Sequence, residues 1–229
     1  MKFLILLMSV FILNYGHAQT TALVEPKSSR DLDIVLIPFG MEHAIKMGEL
    51  DQSGKATLSG SPDFTQVPKP VQNEYVLKMS EVLEFCDNFN DLLNKTENIA
   101  AVETDPLFLM DQGQMAGFIM FVSGVEVFNW IVDEENNNPT IGSYFELVYV
   151  ESGFNFSGNC VQTNDTEEEE AQTQFVLSLN LKPGLNYIEY NIQSIDQTNS
   201  QNGTSFPERV SVTAHQKLPD NVIWIAHYY

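Results

Sequence analysis

Carboxylates are the most abundant side chains that could carry chemistry in this chain, with 31 Asp and Glu residues against 4 His and 2 Cys. They are densest in two segments, 133–139 and 164–170. Calcium takes roughly six to eight oxygen ligands, and Asp133, Glu134 and Glu135 offer several within one loop. Neither segment has the ligand spacing of a helix–loop–helix calcium motif. The sequence therefore offers Asp133, Glu134 and Glu135 as calcium candidates, with a solvated turn as the alternative.

Motifs that would name a reaction are missing from the sequence. It contains no His-Glu-x-x-His zinc motif, no Gly-x-Ser-x-Gly nucleophile turn and no glycine-rich phosphate loop. Beyond the first eighteen residues the histidines are His43, His215 and His227. His215 and His227 fall in predicted strands and are expected to be packed or exposed rather than catalytic. The many carboxylates leave open a glycosidase that uses two of them. We therefore name no catalytic residue and no cofactor other than calcium.

The C-terminus is rich in aromatic side chains. Trp224 and Tyr228 lie four positions apart, so on a strand they share one face. Flat aromatic faces suit sugar rings, which makes these two residues candidates for stacking against a glycan. The alternative is structural, because the same spacing suits a final strand that closes a β-sheet. We expect the structural role.

Cys86 and Cys160 are the two cysteines, 74 positions apart. In an oxidising compartment such a pair is expected to form a disulfide. Closing a loop of this length stabilises the folded chain by about 4 kcal/mol, less any strain in the bridge. Two separate buried thiols are the alternative. A metal site is not indicated, since no Cys-x-x-Cys or neighbouring His supports one.

The first eighteen residues have the pattern of a secretory signal peptide. Lys2 precedes an apolar run from position 3 to 13, and small residues precede a cleavage site between Ala18 and Gln19. Because Gln19 and not Cys follows the cut, no lipid anchor is predicted. No second apolar run is long enough to span a bilayer. We expect a secreted or periplasmic protein.

The net charge of −20 restricts the partners of this acidic protein. Nucleic acid and anionic membrane surfaces repel such a chain, so neither is an expected partner. A solubilising surface is enough to explain the charge. A glycan or an envelope protein remains open as a partner.

One segment has a clear helical period. Apolar residues three and four positions apart, with acidic residues on the other faces, predict an amphipathic helix on which Cys86 faces the apolar side. The positions are Tyr75, Met79, Val82, Cys86, Phe89 and Leu93. A disulfide to Cys160 would hold this helix against the sheet that follows.

Elsewhere the pattern predicts short strands. A mobile leader at 19–30 precedes a small β unit and a proline linker at 31–70, in which Gly54 supplies the positive φ of a hairpin turn. The helix and a larger β region follow at 71–229, and the two parts could share one core. In that region the predicted strands are 107–110, 118–122, 125–132, 144–150, 174–181, 187–195, 209–214 and 222–228. The fold expected is mainly β, an antiparallel β-sandwich with one amphipathic α-helix.

Three segments resemble uncharacterised exported bacterial β-sandwich proteins. The segments 154–160 and 175–186 match a strand pattern that ends in Leu-x-Leu-Lys-x-Gly-Trp-Asn, with Leu185 in place of the Trp. The segment 48–58 is similar to the strand–turn–strand opening of transthyretin-like modules. The resemblance covers about half of the chain. It implies a β-sandwich and an exported protein, and it carries over no catalytic residue.

These observations lead to three hypotheses for function. The first is a secreted, non-catalytic binding or envelope-associated module whose ligand the sequence does not name. The second is a secreted hydrolase acting on polysaccharide or peptide. The third is a structural protein stabilised by calcium. The export signal and the missing catalytic motifs favour the first.

Overall fold

The computed structural model describes residues 20–83, 99–104, 106–133, 138–165, 170–196 and 205–229. Three α-helices occur in these ranges: α1 (Lys69–Tyr75), α2 (Met79–Val82) and α3 (Val125–Val132). The N-terminal strands are β1 (Thr20–Glu25), β2 (Leu32–Leu36), β3 (Ile45–Leu50), β4 (Lys55–Leu58), β5 (Leu77–Lys78), β6 (Ala100–Glu103) and β7 (Leu107–Asp111). The C-terminal strands are β8 (Gln114–Val122), β9 (Gly142–Val150), β10 (Phe154–Asp165), β11 (Glu170–Leu181), β12 (Gly184–Asp196), β13 (Phe206–His215) and β14 (Ile223–Tyr228). The prediction of a mainly β fold is confirmed.

Seven of the strands close on themselves. Each is hydrogen-bonded to the next in the order β1, β4, β3, β2, β7, β8 and β14, and β14 pairs again with β1. Inward-facing residues from these strands fill the interior with one apolar cluster, which includes Ile34, Leu50, Leu109 and Phe121. The architecture differs from the predicted sandwich, because the pairing of β1 with both β4 and β14 joins two edges that would otherwise stay open.

The remaining long strands continue the hydrogen-bonded pairing of the barrel beyond β8, in the order β9, β12, β13, β11 and β10. These five strands are called the second sheet below. Strand β9 links the two parts, since Phe145 and Tyr144 pair with Phe121 and Val122 of β8. A second apolar cluster covers one face of the second sheet and includes Met79 of α2. Not all pairs are antiparallel as predicted, because β1 with β14 and β11 with β13 run parallel.

Several sequence predictions hold at the level of single strands. Strand β11 alternates as expected, with Phe175, Leu177, Leu179 and Leu181 all buried. The hairpin of β3 and β4 turns at Gly54, whose φ is +85°. Both features follow from local sequence, a strict alternation in one case and a glycine turn in the other.

The predicted mobile leader is wrong for residues 20–25. They form β1, in which Val24 is fully buried between β4 and β14. The sequence left open whether 31–70 shares one core with the rest of the chain, and Leu32 and Leu50 do belong to the same apolar cluster as Trp224. The polar composition of the segment concealed a strand that buries only one of its faces.

The single helix predicted from Tyr75 to Leu93 is wrong where it begins. Tyr75 ends α1, and Leu77–Lys78 then pairs with β6 before α2 begins at Met79. The Glu81 carboxylate accepts a hydrogen bond from the backbone N–H of Lys78, which caps the new helix. Residues 84–98, which carry the rest of the prediction, lie outside the described residues.

The strand predicted at 125–132 is also wrong, because this segment forms helix α3. Its Val, Phe, Trp and Ile side chains favour strands by intrinsic propensity. The helix instead places Val127 and Phe128 in a small apolar cluster with Val122 of β8 and Ile225 of β14. Packing against the outside of the barrel therefore outweighs the local propensity.

Candidate functional site

A cavity of about 1030 Å³ lies where one end of the barrel meets the second sheet. Strands β1, β3, β4, β7 and β14 contribute the barrel side, β9 and β12 contribute the sheet side, and the segment 216–222 between β13 and β14 forms a further wall. The walls are mainly apolar, and they include Ala22, Met47, Leu58, Leu107, Leu147, Leu185, Leu218, Val222 and Trp224. The volume is that of a site for a small organic molecule.

Two rings of the cavity wall are held by Phe121, which is itself buried in the barrel. Trp224 meets Phe121 edge to face with ring centroids 4.7 Å apart, and Tyr187 meets it in the same way at 5.9 Å. Trp224 sits in β14 between Val24 of β1 and Phe121 of β8. The aromatic part of the wall is therefore fixed by strand pairing as well as by ring packing.

Tyr187 brings a polar group to this apolar wall. Burial raises the pKa of its phenol above the ordinary value of 10.0, so the group stays neutral and able to donate a hydrogen bond at physiological pH. Among the residues that the structure describes, none forms a hydrogen bond with this phenol. A half-buried donor of this kind is available to a ligand.

The remaining polar residues of the cavity are exposed and mark its mouth. They are Thr20, Thr21, Ser59, Gln216, Lys217 and Asp220. Two of them already use their donors, because the Ser59 hydroxyl donates to the Met47 carbonyl at 2.8 Å and the Gln216 amide donates to Asn186 Oδ1 at 2.6 Å. Lys217 and Asp220 bring one positive and one negative charge to the mouth.

The turn that leads into β12 positions the sheet side of the cavity. Asn186 is fully buried, and its side chain accepts a hydrogen bond from the backbone N–H of Lys182 and donates to the carbonyls of Lys182 and Gly184. Since the neighbouring residues Leu185 and Tyr187 both line the cavity, this buried asparagine fixes the strand on which they lie.

A polar network lies on the same sheet face, beyond Tyr187. Asn191 Nδ2 donates to Ser143 Oγ at 2.7 Å, and Ser143 Oγ donates to Glu189 Oε1 at 2.7 Å. His215 Nε2 lies 2.7 Å from Glu189 Oε2. The carboxylate thus stands between the serine and the histidine. This order differs from that of a hydrolase triad, in which the histidine contacts the serine.

A second carboxyl group occupies the opposite face of β9. Burial raises the pKa of Glu146, a hydrogen bond from Tyr190 lowers it, and the nearby charge of Glu103 raises it further, with burial as the largest effect. Glu146 and Glu103 are therefore two acids close enough to affect each other. They lie outside the lining of the cavity.

The two aromatic residues that the sequence suggested for stacking have different environments in the structure. Trp224 is 5% exposed and lines the cavity. Tyr228 packs against the barrel core and donates from its hydroxyl to the Pro26 carbonyl at 3.0 Å. Trp224 thus lies in the barrel interior, whereas Tyr228 is only partly buried. Their role in stacking against a glycan stays a prediction.

The other candidates fall largely outside the described residues. Asp133 directly follows α3 as its C-cap and is exposed, whereas Glu134 and Glu135 lie outside the described ranges. Within those ranges no three His, Cys, Asp or Glu residues come together as metal ligands. The calcium site therefore stays a prediction.

The predicted disulfide also involves a residue that lies outside those ranges. Cys160 is buried in β10, in the cluster that covers the second sheet. Cys86 lies in the segment 84–98, which the structure does not describe. No free cysteine occurs in the described part of the chain. The bridge stays a prediction.

Comparisons with known proteins match this chain to no protein family, no curated protein and no solved structure. In the described part of the chain, every helix is too short or too polar to cross a bilayer. The candidate site therefore rests on the geometry of the cavity.

Sequence reasoning did not identify Tyr187 or Leu185 as site residues. In the sequence, Leu185 is distinctive only because it stands where the resembling proteins have Trp. Both residues share a face of β12 with Glu189, so alternation along the strand could have grouped them. No pattern in the sequence indicates that this face meets the end of a barrel.

Proposed function

We propose that this protein is an exported, non-catalytic binding protein that holds a small apolar molecule in the cavity at the end of the barrel. The observation that carries the proposal is the cavity itself, large and lined mainly by aliphatic side chains and Trp224. The signal sequence supports export. A glycan is a poorer occupant of this cavity, because its hydroxyl groups would lose hydrogen bonds to water against apolar walls.

Binding can be measured with N-phenyl-1-naphthylamine, a neutral apolar dye whose fluorescence rises when it leaves water. We expect saturable binding of about one dye per chain by the purified protein. Trp224 provides a second readout, because a ligand in the cavity changes the environment of its ring. The variant Trp130→Phe removes the other tryptophan, which packs in different clusters, so that Trp224 reports alone.

A variant that fills the cavity tests the location. Leu185→Trp adds bulk at a lining position, so we expect dye affinity to fall at least about tenfold, as the walls and the dye compete for one space. The matched control is Leu23→Trp, at a position of β1 that is 70% exposed. The control should bind as the wild type does. Absence of dye binding by the wild type, or equal binding by both variants, would overturn the proposal.

A further inference from the structure

The polar groups of the cavity are unevenly distributed. Six of the polar residues that line it are exposed at the mouth, whereas Tyr187 is half-buried among aliphatic side chains. Leu147 of β9 pairs with Tyr187, and Leu185 lies on the same face of β12. Together with the indole N–H of Trp224, this phenol is therefore a side-chain donor that the inner wall offers to a ligand.

The charges around the cavity favour an uncharged occupant. The chain carries a net charge of −20, which disfavours an anion at long range. Lys217 and Asp220 offset each other at the mouth, and the inner wall has no ionised side chain that could pair with a buried cation. An ion taken into apolar surroundings without a partner loses far more hydration energy than contacts return.

The phenol has one hydrogen to donate and is neutral at physiological pH. The hydroxyl has no hydrogen-bond partner among the described residues and is not closed off from water. Water in an apolar cavity needs two or more polar partners to be well held. A ligand oxygen that accepts from Tyr187 would replace that water and also fill the apolar space around it.

From these observations we infer that the cavity selects an uncharged, lipid-like molecule with an apolar body and one carbonyl oxygen, which accepts a hydrogen bond from the Tyr187 hydroxyl. This inference rests on the proposed function and names the ligand class of the same site. It separates ketones and esters from hydrocarbons of the same length and from the corresponding carboxylates.

Three competitors for the bound dye test the inference: 2-octanone, n-octane and octanoate. Each is titrated against wild type, Tyr187→Phe and Tyr149→Phe. Tyr187→Phe keeps the ring against Phe121 and removes only the hydroxyl. Tyr149→Phe removes a hydroxyl from the neighbouring strand at a residue that does not line the cavity. Each competitor is compared with itself across the three proteins, so differences in solubility between competitors do not affect the result.

We expect Tyr187→Phe to lower the affinity for 2-octanone about fivefold, which corresponds to the loss of one hydrogen bond. The affinities for n-octane and the dye should not change. Tyr149→Phe should leave all three affinities unchanged, and octanoate should bind more weakly than the ketone. The inference would be overturned, while the binding function stands, if Tyr187→Phe lost affinity equally for ketone and alkane or for neither. Tightest binding of octanoate would overturn it as well. Failure of the dye itself to bind would instead contradict the proposed function.

Discussion

Val24 of β1 and Trp224 of β14 lie opposite each other in neighbouring parallel strands. This pairing joins the first and the last described strands and closes the barrel. Val24 is fully buried, and Trp224, its partner on β14, lines the cavity. The site and the closure of the fold therefore depend on the same contact.

Truncation of Val24 tests how strongly the closure contributes to stability. Val24→Ala removes two buried methyl groups' worth of packing, so we expect the free energy of unfolding in urea to fall by about 2 kcal/mol. The adjacent Leu23 is 70% exposed, so Leu23→Ala should change the free energy of unfolding by less than about 0.5 kcal/mol. Equal effects of the two substitutions would mean that β1 does not pack in the barrel as described.

Two glycines with nearly the same backbone angle separate strain from crowding. Gly113 has φ +83° with open space around it, and Gly54 has φ +85° with the Val24 carbonyl 2.7 Å from an added Cβ. Gly113→Ala should cost about 1 kcal/mol from the left-handed conformation alone. Gly54→Ala should cost about 3 kcal/mol, since the hairpin must also move away from β1. Equal losses in urea unfolding would contradict this contact between the turn and β1.

Glu146 should make stability depend on pH. Its pKa in the folded protein is raised above the ordinary value of 4.5, chiefly by burial, so the folded state holds the proton more tightly than the unfolded chain. Stability from this group is therefore complete below pH 4.5 and is lost as pH rises through the raised pKa. Glu146→Gln should raise the melting temperature at pH 7 and have little effect at pH 4.

The matched variant is Glu103→Gln, which removes the nearby negative charge that helps raise the pKa of Glu146. It should stabilise the protein at pH 7 by less than Glu146→Gln does, because burial is the larger cause. A lower melting temperature for Glu146→Gln at pH 7 would show that the ionised carboxylate stabilises the fold.

The disulfide between Cys86 and Cys160 is testable by intact mass under non-reducing, alkylating conditions. We expect no alkylation of the folded or denatured chain before reduction and alkylation of both cysteines after it. Reduction should lower the free energy of unfolding by about 4 kcal/mol, since the unfolded chain regains the freedom of a 74-position loop. Alkylation of both thiols without reductant would show that the disulfide does not form.

How far the sequence predicts this fold depends on how local each signal is. The alternation of β11 and the glycine turn at Gly54 are local, and both were predicted. Helix α3 was not, because Val127 and Phe128 have the composition of a strand and fold as a helix only against β8 and β14. The parallel pairing of β1 with β14 has no local signature at all.

The candidate site was harder to predict for the same reason. Its wall combines Ala22, Leu107, Tyr187 and Trp224, which come from four strands spread over the chain. Trp224 was noted for its aromatic ring, yet only the barrel reveals that the ring faces inward. Tyr187 has no distinguishing pattern, because the role proposed for it comes from its position in the cavity wall and from the missing hydrogen-bond partner, both of which the fold creates.

The pairing of Val24 with Trp224 also determines when the barrel can close during folding. The two residues are 200 positions apart, so the barrel stays open until almost the whole chain has emerged. Contacts this distant in sequence form late and slowly, because a long loop must be ordered first. The cavity is complete only after β14 has paired with β1, so under the proposed function we expect ligand binding to begin only once this pairing has formed.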